Sequence, residues 1–598
     1  MKTVIGALAL VVGMAVGDDG DPPSRVARLN YLSGSVSLQP AGVEDWTPAI
    51  LNYPLSTGDQ LWIDNNSRAE MHIGSTAIHI DSGTASSLLN LDDHTVQVRL
   101  SQGSISIRIR SLADDEVYEI DTPNGAISLL RTGSYRIDAD PDRQTTTVTV
   151  HGGQAEVTAA GSAFQVHTGQ SGILTGSDFP IREVRAAGPP DGFDYWYQDR
   201  DVREDSQPAP IYVSREMPGY EDLAANGSWD EDPDYGPVWA PRVSVDWAPY
   251  RDGHWRWIEP WGWTWMDDAP WGFAPFHYGR WAYRRNSWCW VPGPVVAKPV
   301  YAPALVAFVG VSPWGASIAI DDGGGVGWFP LGPREVYRPA YRANVVTNTP
   351  NITNVTYVNQ RVPGAVTVVT RNDFATARSV SRVAVRVPES LVAGASVVGT
   401  APRVAPRRES MLAHRVDGRI ARPPDAALTR IVMTKRTPPP PAVPFSARQS
   451  ALEANPGQPV DSGTLSRLRQ TAPVPHTHVR SIPIPAPAEP QSTRTLKNPD
   501  RPPEARREQL RQQERPERVR PERPHPERVQ RPPEQGPPPD VRQERAPQER
   551  VRPERIQRAP QPQAEAPPEQ RREERRGTEE ERPRRQGERR ERGKPNPE

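Results

Sequence analysis

The tryptophans of this 598-residue chain are crowded into one stretch, and their spacing constrains the fold more than any other feature. Twelve of the 17 tryptophans lie between Trp229 and Trp290. In that stretch a Gly-x-Trp motif recurs every 26 residues, with its glycines at Gly227, Gly253 and Gly279. A repeat this short cannot bury its own apolar face, so neighbouring copies must pair or stack around a shared core.

A second motif indicates the secondary structure of the repeat. Tryptophans separated by one residue occur at Trp263 and Trp265, and again at Trp288 and Trp290. Alternate residues of a strand point to the same face, so the motif predicts short strands, and the repeated glycine supplies either a turn or a close approach. The repeat also predicts that the three Gly-flanked rings occupy equivalent buried positions: Trp229, Trp255 and Trp281.

Three roles for these rings remain open from the residues alone. They build the core of a small module, they form a platform for sugar rings, or they form a surface for a protein partner. If a ligand platform exists, Trp263 and Trp288 are its candidate exposed rings. His254 and His277 are the polar candidates for the same ligand site. Two histidines without a third regularly spaced ligand do not predict a metal site.

Residues 25 to 180 show a strand pattern of a different kind. Apolar residues alternate with polar ones from Val96 to Leu100, from Ile105 to Ile109 and at Val148 and Val150, and glycines separate the runs. Short alternating runs without helical periodicity predict an all-β sandwich or a coiled β-roll. We expect each glycine between the runs to form a turn with positive φ.

An ordered set of short motifs in this region resembles FecR-like extracytoplasmic domains. The motifs are Gly34-Ser35-Val36, Pro54-Leu55-Ser56-Thr57-Gly58-Asp59, Ser67-Arg68-Ala69-Glu70, Val98 to Gly103, Thr122-Pro123-Asn124-Gly125, Arg131-Thr132-Gly133 and Val148 to Ala155. The resemblance implies a β-fold and a location in the bacterial cell envelope. It does not carry over the anti-sigma role, because neither a sigma-binding segment nor a transmembrane helix precedes the motifs.

The tryptophan-rich stretch carries a resemblance of its own. Together with the segment from Gly327 to Tyr337 and the Val/Thr/Asn-rich run from Asn351 to Asn359, it resembles a tryptophan-rich bacterial domain of unknown function that often follows FecR-like domains. The resemblance assigns residues 216–375 to this module. It implies no activity.

The first 17 residues have the layout of a secretory signal peptide. One lysine precedes 13 uncharged residues, Val4 to Val16, and the small residues Ala15 and Gly17 follow at the positions that a signal peptidase reads. Thirteen residues cannot cross a bilayer, so we expect cleavage after Gly17 and no transmembrane segment in the mature chain. The expected location is periplasmic or extracellular, so we expect no nucleic-acid partner.

The remaining segments are predicted to be a linker and a disordered region. Residues 181–215 are an acidic, Pro-containing linker, and residues 390–598 are a disordered region rich in Pro, Arg and Glu. In the last 98 residues Arg, Glu and Pro number 26, 20 and 20, and Trp, Tyr and Phe are absent. Such a composition cannot offset the entropy lost on ordering the chain.

No catalytic motif in a recognisable context occurs, and the single cysteine, Cys289, excludes an intramolecular disulfide. The sequence therefore predicts a non-enzymatic scaffold or interaction protein of the cell envelope, without cofactor or metal, whose partner is an envelope protein or polysaccharide. One alternative is a module that binds peptidoglycan or exopolysaccharide. Another is a component of envelope signalling or metal-uptake regulation related to FecR.

Overall fold

The N-terminal part of the chain, 27–186, folds into strands. The computed structural model describes residues 21–178, 180–207, 210–311, 324–342, 357–388, 392, 395–397, 401–412, 420–472 and 478–482. In this N-terminal β-domain the strands are β1 (Ala27–Ser33), β2 (Val36–Gln39), β3 (Thr47–Pro48), β4 (Pro54–Leu55), β5 (Gln60–Ile63), β6 (Arg68–Ile73), β7 (Thr76–Ile80), β8 (Thr84–Leu91), β9 (Thr95–Ile109), β10 (Val117–Asp121), β11 (Ala126–Leu129), β12 (Gly133–Asp140), β13 (Thr145–Gly152), β14 (Gln154–Ala159), β15 (Ser162–His167), β16 (Gln170–Thr175) and β17 (Ile181–Ala186).

These strands form two sheets that share β9. Sheet A has the order β4-β1-β6-β7-β9-β12-β13-β16-β17. Sheet B has the order β3-β2-β5-β8-β9-β10-β11-β14-β15. Residues 95–102 of β9 pair in sheet B and residues 103–109 pair in sheet A. The predicted all-β fold is therefore confirmed, with one long strand that passes from one sheet to the other.

The alternating apolar runs of β9 supply the core between the sheets. Val96, Val98 and Leu100 are fully buried, and so are the isoleucines of residues 105–109. Gly103, predicted to form a turn, lies inside β9 instead, where its φ of 93° marks the passage between sheets. A Cβ at this position would lie 2.3 Å from the hydroxyl oxygen of Thr84, so only glycine fits.

Several of the motif residues quoted above act as turn supports. Gly34 has a φ of 75°, and the Ser67 hydroxyl beside it accepts the Ser35 N–H at 2.8 Å. Asp59 is buried and accepts the Ser56 N–H at 2.7 Å. These residues satisfy backbone donors at chain reversals, which explains their ordered spacing by fold alone.

The segment predicted as a linker, 181–215, is largely structured. It contributes β17 and the helix α1 (Gly192–Asp205). Asp191 and Asp194 form a reciprocal capping box at the start of α1. The acidic side chains of α1 pair with basic groups on sheet A, so this connecting segment is ordered against the β-domain.

Each copy of the 26-residue repeat is a β-hairpin. The three hairpins are β18 (Gly227–Asp232) with β19 (Gly236–Pro241), β20 (Gly253–Ile258) with β21 (Gly262–Asp267), and β22 (Arg280–Arg284) with β23 (Ser287–Val291). In each hairpin the Gly-flanked tryptophan pairs across the strands with a second tryptophan: Trp229 with Trp239, Trp255 with Trp265, and Trp281 with Trp290.

The repeated glycine provides room for the second ring of each pair. A Cβ on that glycine would overlap the ring of the cross-strand tryptophan. The distances to the nearest ring atom are 2.4 Å for Gly227 and Trp239, 2.6 Å for Gly253 and Trp265, and 2.6 Å for Gly279 and Trp290. The glycine of the Gly-x-Trp motif is therefore needed so that the ring of the cross-strand tryptophan can pack against its backbone.

Equivalence in sequence does not give equal burial. Trp255 and Trp281 are 1% and 0% exposed, as predicted, whereas Trp229 is only half-buried. The first and third hairpins join in a four-stranded sheet of order β18-β19-β23-β22, while the second stays a separate two-stranded sheet. Trp229 lies on the outer strand of the joined sheet, so fewer neighbours cover it.

The rest of the Trp-rich module closes around the hairpins. A three-stranded sheet consists of β24 (Val306–Val311), β25 (Gly325–Pro330) and β26 (Thr367–Thr370). The short helices are α2 (Leu223–Asn226), α3 (Ala274–His277), α4 (Arg371–Ala375) and α5 (Val380–Val383). Of the helices that the structure describes anywhere in the chain, none is long and apolar enough to cross a membrane.

Residues beyond 390 depart from the expected disorder. The structure places 401–412, 420–472 and 478–482, with helices α6 (Asp425–Thr429), α7 (Phe445–Ala454) and α8 (Ser462–Thr471) and the parallel pair β27 (Val432–Thr434) and β28 (Val479–Ser481). The predicted start of disorder at residue 390 is wrong for these ranges. The signal segment 1–17 and the Arg/Glu/Pro tail 501–598 lie outside the described residues.

Polar side chains of sheet B explain why residues 427–436, the C-terminal strap, are ordered. The Arg99 guanidinium donates to the carbonyls of Leu428 at 2.8 Å and Arg430 at 2.7 Å. The buried Glu119 carboxylate accepts the Lys435 N–H at 2.8 Å. The β-domain thus satisfies the backbone of the strap, which the composition of the strap itself does not reveal.

Candidate functional site

The two rings predicted to be exposed are buried. Trp263 is 5% exposed, packs its ring 4.6 Å from that of Phe374, and donates its indole N–H to the Val404 carbonyl at 2.9 Å. Trp288 is 6% exposed and packs 5.3 Å from Tyr283. The prediction of exposure is wrong, because Trp263 is covered by Phe374 and Val404, which lie far along the chain, and Trp288 packs against Tyr283 of its own hairpin.

The two candidate histidines have structural partners. His254 lies with Nδ1 3.0 Å from the carboxylate of Asp268. His277 is buried, with Nδ1 2.8 Å from the Ala302 carbonyl and its ring stacked 4.8 Å from Tyr301. Burial lowers the pKa of His277 to about 4, so the ring is neutral.

The structure does not bring the four predicted site residues together. They lie on four elements, β20, β21, α3 and β23, and no hydrogen bond or ring contact joins any two of these described side chains. Within the described ranges, no group of three or more His, Cys, Asp or Glu side chains could hold a metal ion. The single thiol, Cys289, is buried.

A buried charge network joins sheet A to helix α1 and to the start of the Trp-rich module. The sequence did not reveal it. At its centre His72 lies between two carboxylates, with Nε2 3.0 Å from Glu70 and Nδ1 3.2 Å from Glu221. Arg28 binds the same Glu221 at 2.8 Å and also pairs with Asp222. Glu221 and Asp222 belong to the 3₁₀ turn at the start of the Trp-rich module, so the network joins that module to the β-domain.

Helix α1 supplies the other half of the network. Arg200 pairs with Glu70, and Glu204 lies 3.1 Å from the Arg110 guanidinium. Arg110 also binds Asp205 at 2.7 Å. The carboxylates of α1 and the basic groups of sheet A thus neutralise each other away from water, the condition under which a buried charge is tolerated.

The surroundings determine opposite protonation states for two neighbouring histidines. Burial alone lowers the pKa of His72, but hydrogen bonds and charges of Glu221 and Glu70 outweigh it and raise this pKa to about 10. Burial lowers the pKa of His79 to about 4. For Glu70, burial would raise the pKa, but His72 and Arg200 hold it well below its usual value. His72 is therefore a cation and His79 neutral.

The charge on His72 makes the stability of this junction depend on pH. Because the folded-state pKa of about 10 exceeds the ordinary 6.5, protonated His72 stabilises the fold fully below pH 6.5. This stabilisation is lost as pH rises through about 10. We expect His72→Gln to lower the unfolding free energy at low pH and to flatten its decline toward alkaline pH, as measured by urea unfolding. Equal slopes for His72→Gln and the unaltered chain would contradict the assignment.

A large cleft lies where three parts of the chain meet. This junction cleft has a volume of about 1040 Å³. Its walls come from residues 42–44 of the β-domain, residues 370–375 of the Trp-rich module, and residues 404–409 and 444–453 of the C-terminal segment. The sequence could not indicate this site, because residues 42–44 lie more than 300 residues before the other walls and the walls carry no common motif.

Side chains of both charge signs line the junction cleft. Arg407 donates to the Asn372 side chain at 2.9 Å, and Arg408 at the rim pairs with Asp45. Arg371 is exposed at the start of α4, and Glu453 lies on the facing helix α7. With both signs of charge and an open mouth, the cleft can hold a polar or zwitterionic segment.

One part of the chain is similar to a known family. Residues 220–335 match a family of unknown function, DUF6600. These residues contain all three hairpins, so the predicted Trp-rich domain is supported over this range. None of the curated proteins matches the chain.

Solved structures give a weak likeness. Two crystal structures, at 2.50 and 1.65 Å resolution, come from a protein of Parabacteroides distasonis ATCC 8503 described as an anti-sigma factor. They are 13% and 12% identical to this chain, with a TM-score of 0.20 for each. The match covers 21% of this chain and 59% of that chain.

Proposed function

We propose that the protein is an exported, non-enzymatic scaffold of the bacterial cell envelope whose junction cleft holds a segment of a protein partner. The observation that carries the proposal is the composition of the cleft, which forms only when the β-domain, the Trp-rich module and the C-terminal segment pack together. A protein segment with charged side chains matches a wall that carries both Arg371 and Glu453.

The proposal of a protein partner is favoured over a glycan. A sugar platform needs exposed ring faces, and the candidate rings Trp263 and Trp288 are 5% and 6% exposed. Their burial supports a structural role for the tryptophans. It leaves the junction cleft as the recognition surface.

Location and relation to signalling rest on the sequence. The layout of residues 1–17 supports export, and the ordered motifs of the β-domain support a relation to FecR-like extracytoplasmic domains. In a signalling role, a membrane protein encoded elsewhere would carry the message to the cytoplasm. The scaffold proposal does not require this role.

A capture experiment tests the proposal. The mature full-length chain is immobilised and exposed to detergent-solubilised envelope proteins and, separately, to purified peptidoglycan and exopolysaccharide. Arg371→Glu reverses one charge in the cleft at the first position of α4, where a carboxylate suits the helix dipole. Arg382→Glu, on the exposed face of α5 outside the cleft, is the matched control.

We expect the unaltered chain and Arg382→Glu to retain one or more envelope proteins. We expect Arg371→Glu to retain about tenfold less of the same proteins. We expect neither polysaccharide to bind. Retention of peptidoglycan or exopolysaccharide would favour the glycan-binding function instead. Equal retention by both variants would exclude the cleft as the binding site.

A further inference from the structure

Strand β17 is an open edge of sheet A. It pairs with β16 through residues 170–175, and no described strand pairs with its other side. All six of its residues are exposed, and Ile181 and Val184 reach 72% and 44%. An edge strand of this kind presents a row of unpaired N–H and C=O groups to another chain.

The hydrogen bonds to β16 establish which residues face outward. Ala187 lies opposite Gly169 and donates its N–H to the Gly169 carbonyl at 2.9 Å. In an antiparallel ladder bonded pairs alternate with unbonded pairs, so the odd-numbered residues of β17 bond to β16. Arg182, Val184 and Ala186 therefore direct their backbone N–H and C=O groups away from the sheet.

The sequence of β17 is complementary to itself in one antiparallel register. With a two-fold axis through Val184, Val184 meets its own copy and Glu183 lies opposite Arg185 in both directions. With the axis through residue 183, two glutamates oppose each other, and with the axis through residue 185, two arginines do. Opposite charges directly across strands stabilise a pair, and like charges destabilise it.

We propose that β17 binds a second copy of this chain edge to edge, so that sheet A continues across a two-fold axis at Val184. Charges on an edge strand are also a device against unwanted pairing. Here the alternation of signs blocks the registers centred on residues 183 and 185 and permits the register centred on residue 184. The contact is isologous, with about six main-chain hydrogen bonds, and the dimer is weak because the shared strand is short.

Sedimentation equilibrium of the full chain at low ionic strength tests the proposal. We expect a concentration-dependent dimer. Glu183→Arg and Arg185→Glu each place like charges opposite one another twice, and each should raise the dissociation constant about tenfold. The double variant E183R/R185E exchanges the two charges and should restore dimerisation.

Val184→Pro provides a second, independent test. It removes an outward N–H from an edge strand, a position where proline leaves the fold intact. We expect a monomer with an unchanged circular dichroism spectrum. A monomeric unaltered chain, or a dimer that persists in Val184→Pro, would overturn the proposal. If the double variant E183R/R185E dimerised as weakly as the single variants, the proposed register and the two-fold arrangement would be overturned.

Discussion

Replacing Trp255 by alanine is expected to destabilise the folded part by about 3 to 5 kcal/mol, the range for removal of a large aromatic side chain from a core. Trp255 is 1% exposed. Its ring packs 5.5 Å from Trp265, 5.4 Å from Trp328 and 5.3 Å from Phe308. It thus joins the second hairpin to the three-stranded sheet, and neighbouring side chains cannot fill a cavity of this size.

Trp229→Ala is the matched control, because it changes the same motif position in the first hairpin. Trp229 is half-buried, so its loss should cost clearly less than the loss of Trp255. Urea unfolding monitored by circular dichroism measures both variants. A Trp255→Ala protein as stable as the unaltered chain would remove the structural explanation of the repeat and return these rings to a role in ligand binding.

Arg28→Ala is expected to cost about 3 to 5 kcal/mol of unfolding free energy, as for other buried pairs broken on one side. The Arg28 side chain is 2% exposed and contacts Glu221 and Asp222. It also donates to the Pro270 carbonyl at 3.0 Å. The substitution leaves Asp222 without its counter-charge and Glu221 with His72 alone, at the junction between the β-domain and the Trp-rich module.

Two further variants separate charge from packing. Adding Asp222→Asn to Arg28→Ala removes one uncompensated carboxylate and should recover part of the loss. Arg203→Ala breaks a surface pair with Asp199, whose two side chains are 71% and 58% exposed. It should cost less than about 1 kcal/mol. An Arg28→Ala loss as small as that of Arg203→Ala would show that the network does not hold the junction.

The local patterns predicted the strands and the repeat. Alternation from Val96 to Ile109 identified the core of β9, and the 26-residue spacing identified three repeated β-units, which the structure shows to be hairpins. Both features depend on neighbours within a few residues, where strand geometry fixes which side chains share a face. The Gly-x-Trp motif could be recognised for the same reason, since the glycine and the tryptophan ring that packs against it lie on paired strands.

The exposure of the tryptophan rings could not be predicted from the sequence, because it depends on segments far along the chain. Trp263 is covered by Val404, more than a hundred residues later, so its strand pattern could not show that the ring is buried. The strap was predicted to be disordered because it contains no aromatic residue and a proline-rich segment, 437–441, follows it directly. Its order comes from Arg99 and Glu119, which satisfy its backbone from another part of the molecule.

By itself, the sequence determined the all-β character and the core-facing residues of strands such as β9, because short-range backbone and side-chain geometry encodes them. Only the tertiary structure decided which charges are buried and which surfaces remain open. Arg28 and Glu221 are 193 residues apart, and neither sits in a motif that marks it as buried. A sequence does not show which charged residues are buried, because their burial depends on partners that folding brings from distant segments. The packing of distant segments also creates the junction cleft.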